Sequence, residues 1–227
     1  MVVVVTGLER ERRILTGPGV EVVVGGGDQA RLETALDRLA VGTNGIISIG
    51  IAGGLAPGLR PGDWVVATAV RDRGDAVPTD PDWTSRLASR LPRPACGLLL
   101  GADAIAATAE RKAELHRASN AIAVDMESHV AARIAARHRL PFAAVRVISD
   151  AAHRTLPPAA RVAMRRDGGV DLSAVLRSLL AEPWQLPALI RTGLEAEKAF
   201  RALLRGHRRL GAGLGGPDVG ELPPDMV

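Results

Sequence analysis

The sequence predicts an α/β fold: one domain with a central β-sheet flanked by helices, followed by a C-terminal helical extension. Three observations carry this expectation. Short, β-branched apolar runs alternate with longer alanine- and arginine-rich segments, the alternation that builds a sheet covered by helices on both faces. The chain has 227 residues, 47% apolar and 24% charged, enough apolar material for one sizeable core. Beyond residue 150 the strand-like runs stop and helical segments follow.

Taken in order, the four valines at 2–5 read as a first buried strand and lack the basic leader of a signal peptide. Further strands are expected at 20–24, 46–49, 64–69, 96–100, 121–124 and 142–148, and helices at 29–40, 81–90, 108–117 and 127–139. The glycines at 25–27 read as a strand-to-helix turn, because no third glycine completes a dinucleotide-binding spacing. Cys96 is the single cysteine, so no internal disulfide forms, and its setting in ACGLLLG predicts a buried strand residue. The segment DAAHRTLPPAA reads as a polar loop, with helices following at 172–180 and 185–205. Residues 211–227, rich in glycine, proline and acids, read as a flexible tail. The expected division is a domain at 1–182, a basic amphipathic helix at 183–210 and the tail at 211–227. No stretch is long and apolar enough to span a bilayer, so the protein is expected in the cytoplasm, soluble or peripheral on the inner membrane face.

Charge adds a second layer. Lysine occurs only at Lys112 and Lys198, and arginine supplies every other basic residue; the net charge is +4. Residues 186–210 carry Arg191, Lys198, Arg201, Arg205, Arg208 and Arg209 against Glu195 and Glu197, which accounts for the whole excess. Everything else is neutral, and with aromatics at 2% there is no interleaved basic and aromatic surface for nucleic acid. Leu189, Gly193, Ala196, Phe200 and Leu203 fall on one helical face of this segment. That stripe either packs on the domain or lies on an anionic lipid surface, and the two can coexist.

Three islands place carboxylates or glycines where strands end. In TGLERERR, Glu9 or Glu11 can project into a cleft beside the first strand, or simply offset a helix macrodipole. In GIAGGLAPGLRPGD, glycines including Gly53 let backbone approach a ligand. In AVDMESHVAARIAARHRLPFAAVRVISD, Glu127 and Asp150 project at one end of the sheet if the two strands concerned are neighbours. His116, His129 and His138 sit on helical segments with no metal-ligand constellation, and His153 reads as an exposed loop residue, so no metal is expected.

GLERE, GIAGGL with RPGD after it, VDMES and VRVISD, in that order, resemble the nucleoside phosphorylase and nucleosidase superfamily, especially the adenine nucleosidases acting on methylthioadenosine and adenosylhomocysteine. The likeness covers residues 1–182 and implies a central mixed sheet. DGGVDLSAVLRSLL, QLPALIR and KAFRALLR extend it to about residue 205 and resemble the hopanoid-associated members, phosphorylase-like enzymes that remove adenine from adenosylhopane. The resemblance implies no cofactor, a homo-oligomer, and a small-molecule nucleoside substrate with a lipid substituent. It gives residues 186–210 a membrane-surface contact as a task.

N-glycosidic cleavage passes through an oxocarbenium-like sugar and needs help at both ends of the breaking bond. By resemblance, Asp150 is the general acid that protonates N7 of the base, kept protonated by burial, and Glu11 is the general base that activates water. Glu9 is the fallback. Glu127 accepts from the ribose hydroxyls, Met126 forms an apolar floor, Arg146 sits near sugar and acid or pairs with a carboxylate, and Gly53 and Ser149 complete the substrate site. Ile105 stands where related nucleosidases stack an aromatic on adenine.

Departures point away from phosphate. Relatives often carry serine at the position of Ile51, and phosphorylases commonly an arginine at that of Ser48. Residues 71–93 are shorter and less aromatic than in the methylthioadenosine enzymes, which suits an open-ended 5′ group. Trp64, Trp83 and Trp184 read as packing residues that can also line such an opening. The expected activity is hydrolysis of adenosylhopane to adenine and ribosylhopane. A methylthioadenosine or adenosylhomocysteine nucleosidase, a purine nucleoside phosphorylase, and a non-catalytic peripheral or nucleic-acid-binding protein are the alternatives.

Overall fold

Each expected apolar run forms a strand, and the pairing between strands supplies what a one-dimensional pattern cannot. The computed structural model describes residues 1–72, 74–163, 165 and 167–217. Its strands are β1 (Val2–Thr6), β2 (Val20–Val24), β3 (Gly45–Gly54), β4 (Trp64–Arg71), β5 (Ala76–Pro78), β6 (Ala95–Gly101), β7 (Ala123–Asp125) and β8 (Phe142–Asp150). Its helices are α1 (Glu9–Leu15), α2 (Gln29–Ala40), α3 (Pro81–Arg90), α4 (Ala109–Ser119), α5 (Ser128–His138), α6 (Pro158–Arg161), α7 (Leu172–Ala181) and α8 (Leu186–Leu210). The result is the expected mixed α/β domain with a central sheet, flanking helices and a C-terminal helix.

The sheet is parallel through β2, β1, β3 and β8, while β7 runs antiparallel to β3 and β4 antiparallel to β8. Because β4 also pairs with β6, and β6 with β7, the ladder closes a ring through β3, β8, β4, β6 and β7. Closure leaves β2 and β5 as the edge strands, while the apolar runs of β1, β3 and β8 are buried on both sides. The strands ending at Asp125 and Asp150 are not the direct neighbours that the sequence reading required; β3 lies between them. They converge all the same, since Gly53 of β3 is register partner to both Val124 and Asp150.

Two apolar layers cover the sheet. One packs Leu32, Leu36, Val130 and Ile134 from α2 and α5 against it, and the other packs Trp64, Trp83, Leu87 and Leu203. The C-terminal half of α8 belongs to the second layer, with Ala199, Phe200, Ala202, Leu203, Gly206 and Leu210 buried. Gly206 is where the helix crosses Trp64, and a Cβ there would stand 2.1 Å from the indole. The packing face expected on this helix is therefore present in that half.

Several expectations change. β3 continues through the glycines to Gly54, so GIAGG is strand and not loop. Cys96 is in a strand but exposed: β7 is only three residues long and flanks just Leu99–Gly101 of β6, leaving the first residues of β6 without that neighbour. Trp64 and Trp83 are core residues, and the Trp83 indole donates to the Leu214 carbonyl at 3.1 Å. Of the expected flexible tail, residues 211–217 are docked by this bond and by Arg86 to the Gly215 carbonyl; residues 218–227 lie outside the described residues. Among the described residues no helix is long and apolar enough to cross a membrane.

Candidate active site

The first carboxylate comes from α1. β1 ends at Thr6, and the chain turns through Gly7 and Leu8 into a helix whose third residue is Glu11. Its side chain folds back to accept from the backbone N–H of Gly7 and Leu8, each at 2.8 Å, and crosses to β3 to accept from Ile51 N–H at 2.6 Å. Glu11 thus caps its own helix and enters the interior, so both readings of this acid hold at once. Glu9 does neither: it faces outward and pairs with Arg12 and Arg13. Within the glycine-rich stretch expected to approach a ligand, the Ile51 N–H is already taken by Glu11. Burial pushes the Glu11 carboxyl up, against the three donors and Arg146, which favour its charge.

The second and third carboxylates stand at the end of β7 and in the turn that follows it. Asp125 is buried and accepts from the backbone N–H of Glu127 at 3.2 Å and of Ser128 at 3.0 Å, and from the Ser128 hydroxyl. This ties down the start of α5 and leaves Glu127 facing inward. Burial, with Asp125 and Glu11 adding like charge and Arg146 opposing, raises Glu127 to about 8. A carboxyl raised in this way holds its proton more readily near neutral pH and can then donate as well as accept.

Arg146 resolves in favour of the ion pair. It is buried on β8, pairs with Asp125, and donates to Ser48 Oγ at 2.6 Å and Ser128 Oγ at 2.9 Å. It is not part of the cavity wall: Asp125 stands in front of it. Ser48, at the phosphorylase arginine position, receives an arginine from the neighbouring strand instead.

The fourth carboxylate, Asp150, ends β8. It accepts from Ser149 Oγ at 2.6 Å and forms an ion pair with Lys112 of α4, so the carboxyl expected to keep its proton through burial faces a buried ammonium instead. Lys112 escaped the sequence reading because its segment, ERKAELHR, has the look of a solvated helix. The one available signal was its rarity in a chain that otherwise uses arginine.

These groups line one cavity of about 330 Å³. Glu11, Glu127, Asp150, Met126, Ser149, Gly53 and Ile105 all contribute to it, as do Ile51, Asp125 and Phe200. Four carboxylic groups therefore face the space, and among the described lining residues there is no arginine or lysine. Leu156, Ala160, Ala163 and Val170 from the segment around α6 supply an aliphatic wall. This segment is held over α1 by a hydrogen bond from Glu9 N–H to the Gly168 carbonyl at 3.0 Å. Residues 71–93 contribute nothing to the described wall, nor do the three tryptophans or His153. Among the described residues no group of histidine, cysteine and acidic side chains could hold a metal ion.

The family model described as the Phosphorylase superfamily matches residues 2–181. The chain belongs to the Phosphorylase superfamily. Its fold is shared with solved 5′-methylthioadenosine/S-adenosylhomocysteine nucleosidases. The S. pneumoniae enzyme with a transition-state inhibitor is 16% identical, with a TM-score of 0.64 over 92% of this chain and 99% of that one. The Neisseria meningitidis enzyme with methylthio-immucillin-A is 17% identical, with a TM-score of 0.64 over 91% and 96%. The Colwellia psychrerythraea enzyme in complex with adenine is 17% identical, with a TM-score of 0.63 over 92% and 95%. No curated protein matches the chain. The superfamily match ends near the end of α7, so α8 lies outside it.

Proposed function

We propose that this protein is a purine nucleosidase that hydrolyses the N-glycosidic bond of a 5′-substituted adenosine. The observation that carries the reading is the pairing of Glu11 and Asp150 across β3. Glu11 is bonded at Ile51 and Asp150 lies against Gly53, on either side of the register shift in β3, and both line the same cavity. Hydrolysis of a glycosidic bond calls for an acid and a base on either side of that bond, with room for water. Asp150 passes a proton to the base, and Glu11 takes one from the attacking water. Glu127 and Met126 hold the ribose, Ile105 covers the base as an aliphatic surface, and Gly53 leaves room beside it. Water is favoured over phosphate because an oxyanion would meet four carboxylic groups and, among the described lining residues, no cation.

The substrate in this reading is adenosylhopane, giving adenine and ribosylhopane. The aliphatic wall from Leu156 to Val170 suits a lipid substituent better than it suits a charged amino-acid tail. Outside the cavity, Leu172, Leu176 and Leu180 on α7 and Leu186, Ile190 and Leu194 on α8 are exposed at four-residue spacing, with Trp184 between the helices. Such stripes, flanked by Arg177 and Arg191, suit an anionic lipid surface. Within the expected contact at 186–210, it is the first half of α8, joined by α7, that is free for this. The reading includes a homo-oligomer, as the resemblance implies.

The deciding experiment incubates purified protein with adenosylhopane in detergent, with and without phosphate, and follows free adenine. Adenine released equally in both supports the proposal. Release only with phosphate makes the enzyme a phosphorylase, and comparable turnover of methylthioadenosine returns it to the soluble-substrate class. No adenine from any substrate overturns the nucleosidase reading.

A further inference from the structure

Lys112 is the feature of this site that the acid and base assignments do not explain. Its side chain is 0% exposed. Its ammonium is fully subscribed, to the Asp150 carboxylate and to the carbonyls of Ala151 and Arg154, each at 3.0 Å. The stem runs beside the cavity, with Cε 3.8 Å from where a Cβ on Gly53 would be. Desolvating an ammonium is costly before any pairing, and Glu110, Arg111, Glu114 and Arg117 of the same helix all stay at the surface. The residue type also carries information. In a chain with only two lysines, one stands where a compact cation with three diverging donors fits one carboxylate and two carbonyls, a set that a planar guanidinium cannot match.

We infer that Lys112 is the positioning residue of the general acid: it fixes the Asp150 carboxyl from behind and supplies the proton that Asp150 hands to the leaving base. The inference rests on the nucleosidase reading. Lys112 bonds Oδ2 and Ser149 bonds Oδ1, so both oxygens are oriented before substrate arrives, and each keeps a lone pair for further contact. As the bond between C1′ and N9 breaks, its electron pair goes to the purine. A proton moves from Lys112 Nζ to the Asp150 carboxylate and from the carboxyl to a ring nitrogen of the base. Water adds to C1′, and after the base has left, the proton released through Glu11 returns by way of water in the cavity and the Asp150 carboxylate to the neutral lysine. Atoms and charge balance with water as the only co-reactant.

The test uses the full-length protein and two variants. Lys112→Gln keeps a stem and a donor for the carbonyls but removes the charge and the transferable proton. Lys112→Ala opens a space that a small primary alkylammonium can enter. With wild type releasing adenine from its nucleoside, the expected result is that both variants melt cooperatively, kcat falls by about 10²–10⁴, and KM stays within threefold. Ethylammonium should then restore the Lys112→Ala rate in proportion to its concentration, while tetramethylammonium at equal ionic strength should not. Variants with kcat within threefold of wild type overturn the proposal, as does a joint loss of kcat and binding without amine rescue, which marks a structural lysine. If Lys112→Ala does not fold, Lys112→Gln decides by its split between kcat and KM. Failure of the wild type to release adenine counts against the nucleosidase reading and is distinguishable from both.

Discussion

The carboxylate of Glu11 occupies the space that a side chain at residue 50 would need: a Cβ on Gly50 would stand 2.5 Å from Glu11 Oε1 and 2.8 Å from its Cδ. Real contacts do not come that close, so glycine at this point of β3 is a condition for the acid to reach Ile51. Gly50→Ala is expected to expel the Glu11 side chain and abolish its bond to Ile51 N–H. The loss of kcat should match that of Glu11→Gln, about 10²–10⁴-fold for a general base. Overpacking alone would cost about 1–3 kcal/mol of stability. The double variant Gly50→Ala/Glu11→Gln separates the two effects. If Gly50 acts through Glu11, adenine release by the double variant is no slower than by either single variant.

Glu127 predicts how stability depends on pH. Its carboxyl is raised from 4.5 to about 8 in the folded protein, chiefly by burial, and burial raises Glu11 as well. Between about pH 4.5 and 8 the folded state holds a proton that the unfolded chain has lost. Stability therefore falls as pH rises through this window, with a slope of at most about 1.4 kcal/mol per pH unit for this group, and levels above it. Glu127→Gln removes the titration. Urea unfolding at intervals from pH 5 to 9 should show the variant gaining on wild type as pH rises; parallel curves would mean that Glu127 is ionised throughout.

The pair formed by Arg146 and Asp125 is buried on both sides, and breaking such a pair from one side leaves an uncompensated charge. Arg146→Met is expected to cost about 3–5 kcal/mol. It also removes the cation that opposes burial at both Glu11 and Glu127, moving these groups further up. Asp125→Asn in the same chain removes the stranded charge and keeps an acceptor for the Ser128 N–H, so the double variant should recover at least half of the lost stability. A double-mutant cycle in urea measures this coupling. Additive losses would show that the two side chains are energetically independent.

The parts of this site that could be read from sequence are those that depend on local order. Glu11, Glu127 and Asp150 each follow a short apolar run, and a strand that stops at a loop marks its own end, so their approach to one cavity was legible. Closure of the strand ring was not. Pairing partners are set by register between distant segments, and nothing local says that β3 separates β7 from β8. Partner choice was hidden for the same reason. From sequence Arg146 reads equally as a sugar contact or a carboxylate partner, because Asp125 and Ser48 reach it from other strands. Lys112, four residues after a helix N-cap at Thr108, had the pattern of a surface charge, and only the fold puts Asp150 against it. The glycine-rich stretch misled by composition, since Gly50 is needed for the bulk of Glu11 and not for a loop.

The exposed apolar stripes of α7 and the first half of α8 yield a prediction that separates surface from chemistry. Leu176, Leu180 and Ile190 are 60%, 83% and 56% exposed, and none of them lines the cavity. Changing all three to glutamate therefore removes no core contact and is expected to shift Tm by no more than a few degrees, in line with surface substitutions elsewhere. It places three negative charges where an anionic bilayer would have to approach, and each lost leucine-sized contact forfeits about 1.5–3 kcal/mol of burial in lipid. Sedimentation with vesicles of anionic phospholipid should fall at least tenfold, while turnover of a short, soluble 5′-substituted adenosine stays within twofold of wild type. If vesicle binding survives and the oligomer dissociates instead, the stripes face a second copy of the chain. The two outcomes differ because a protein interface is lost in the absence of lipid, whereas a membrane contact is visible only in its presence.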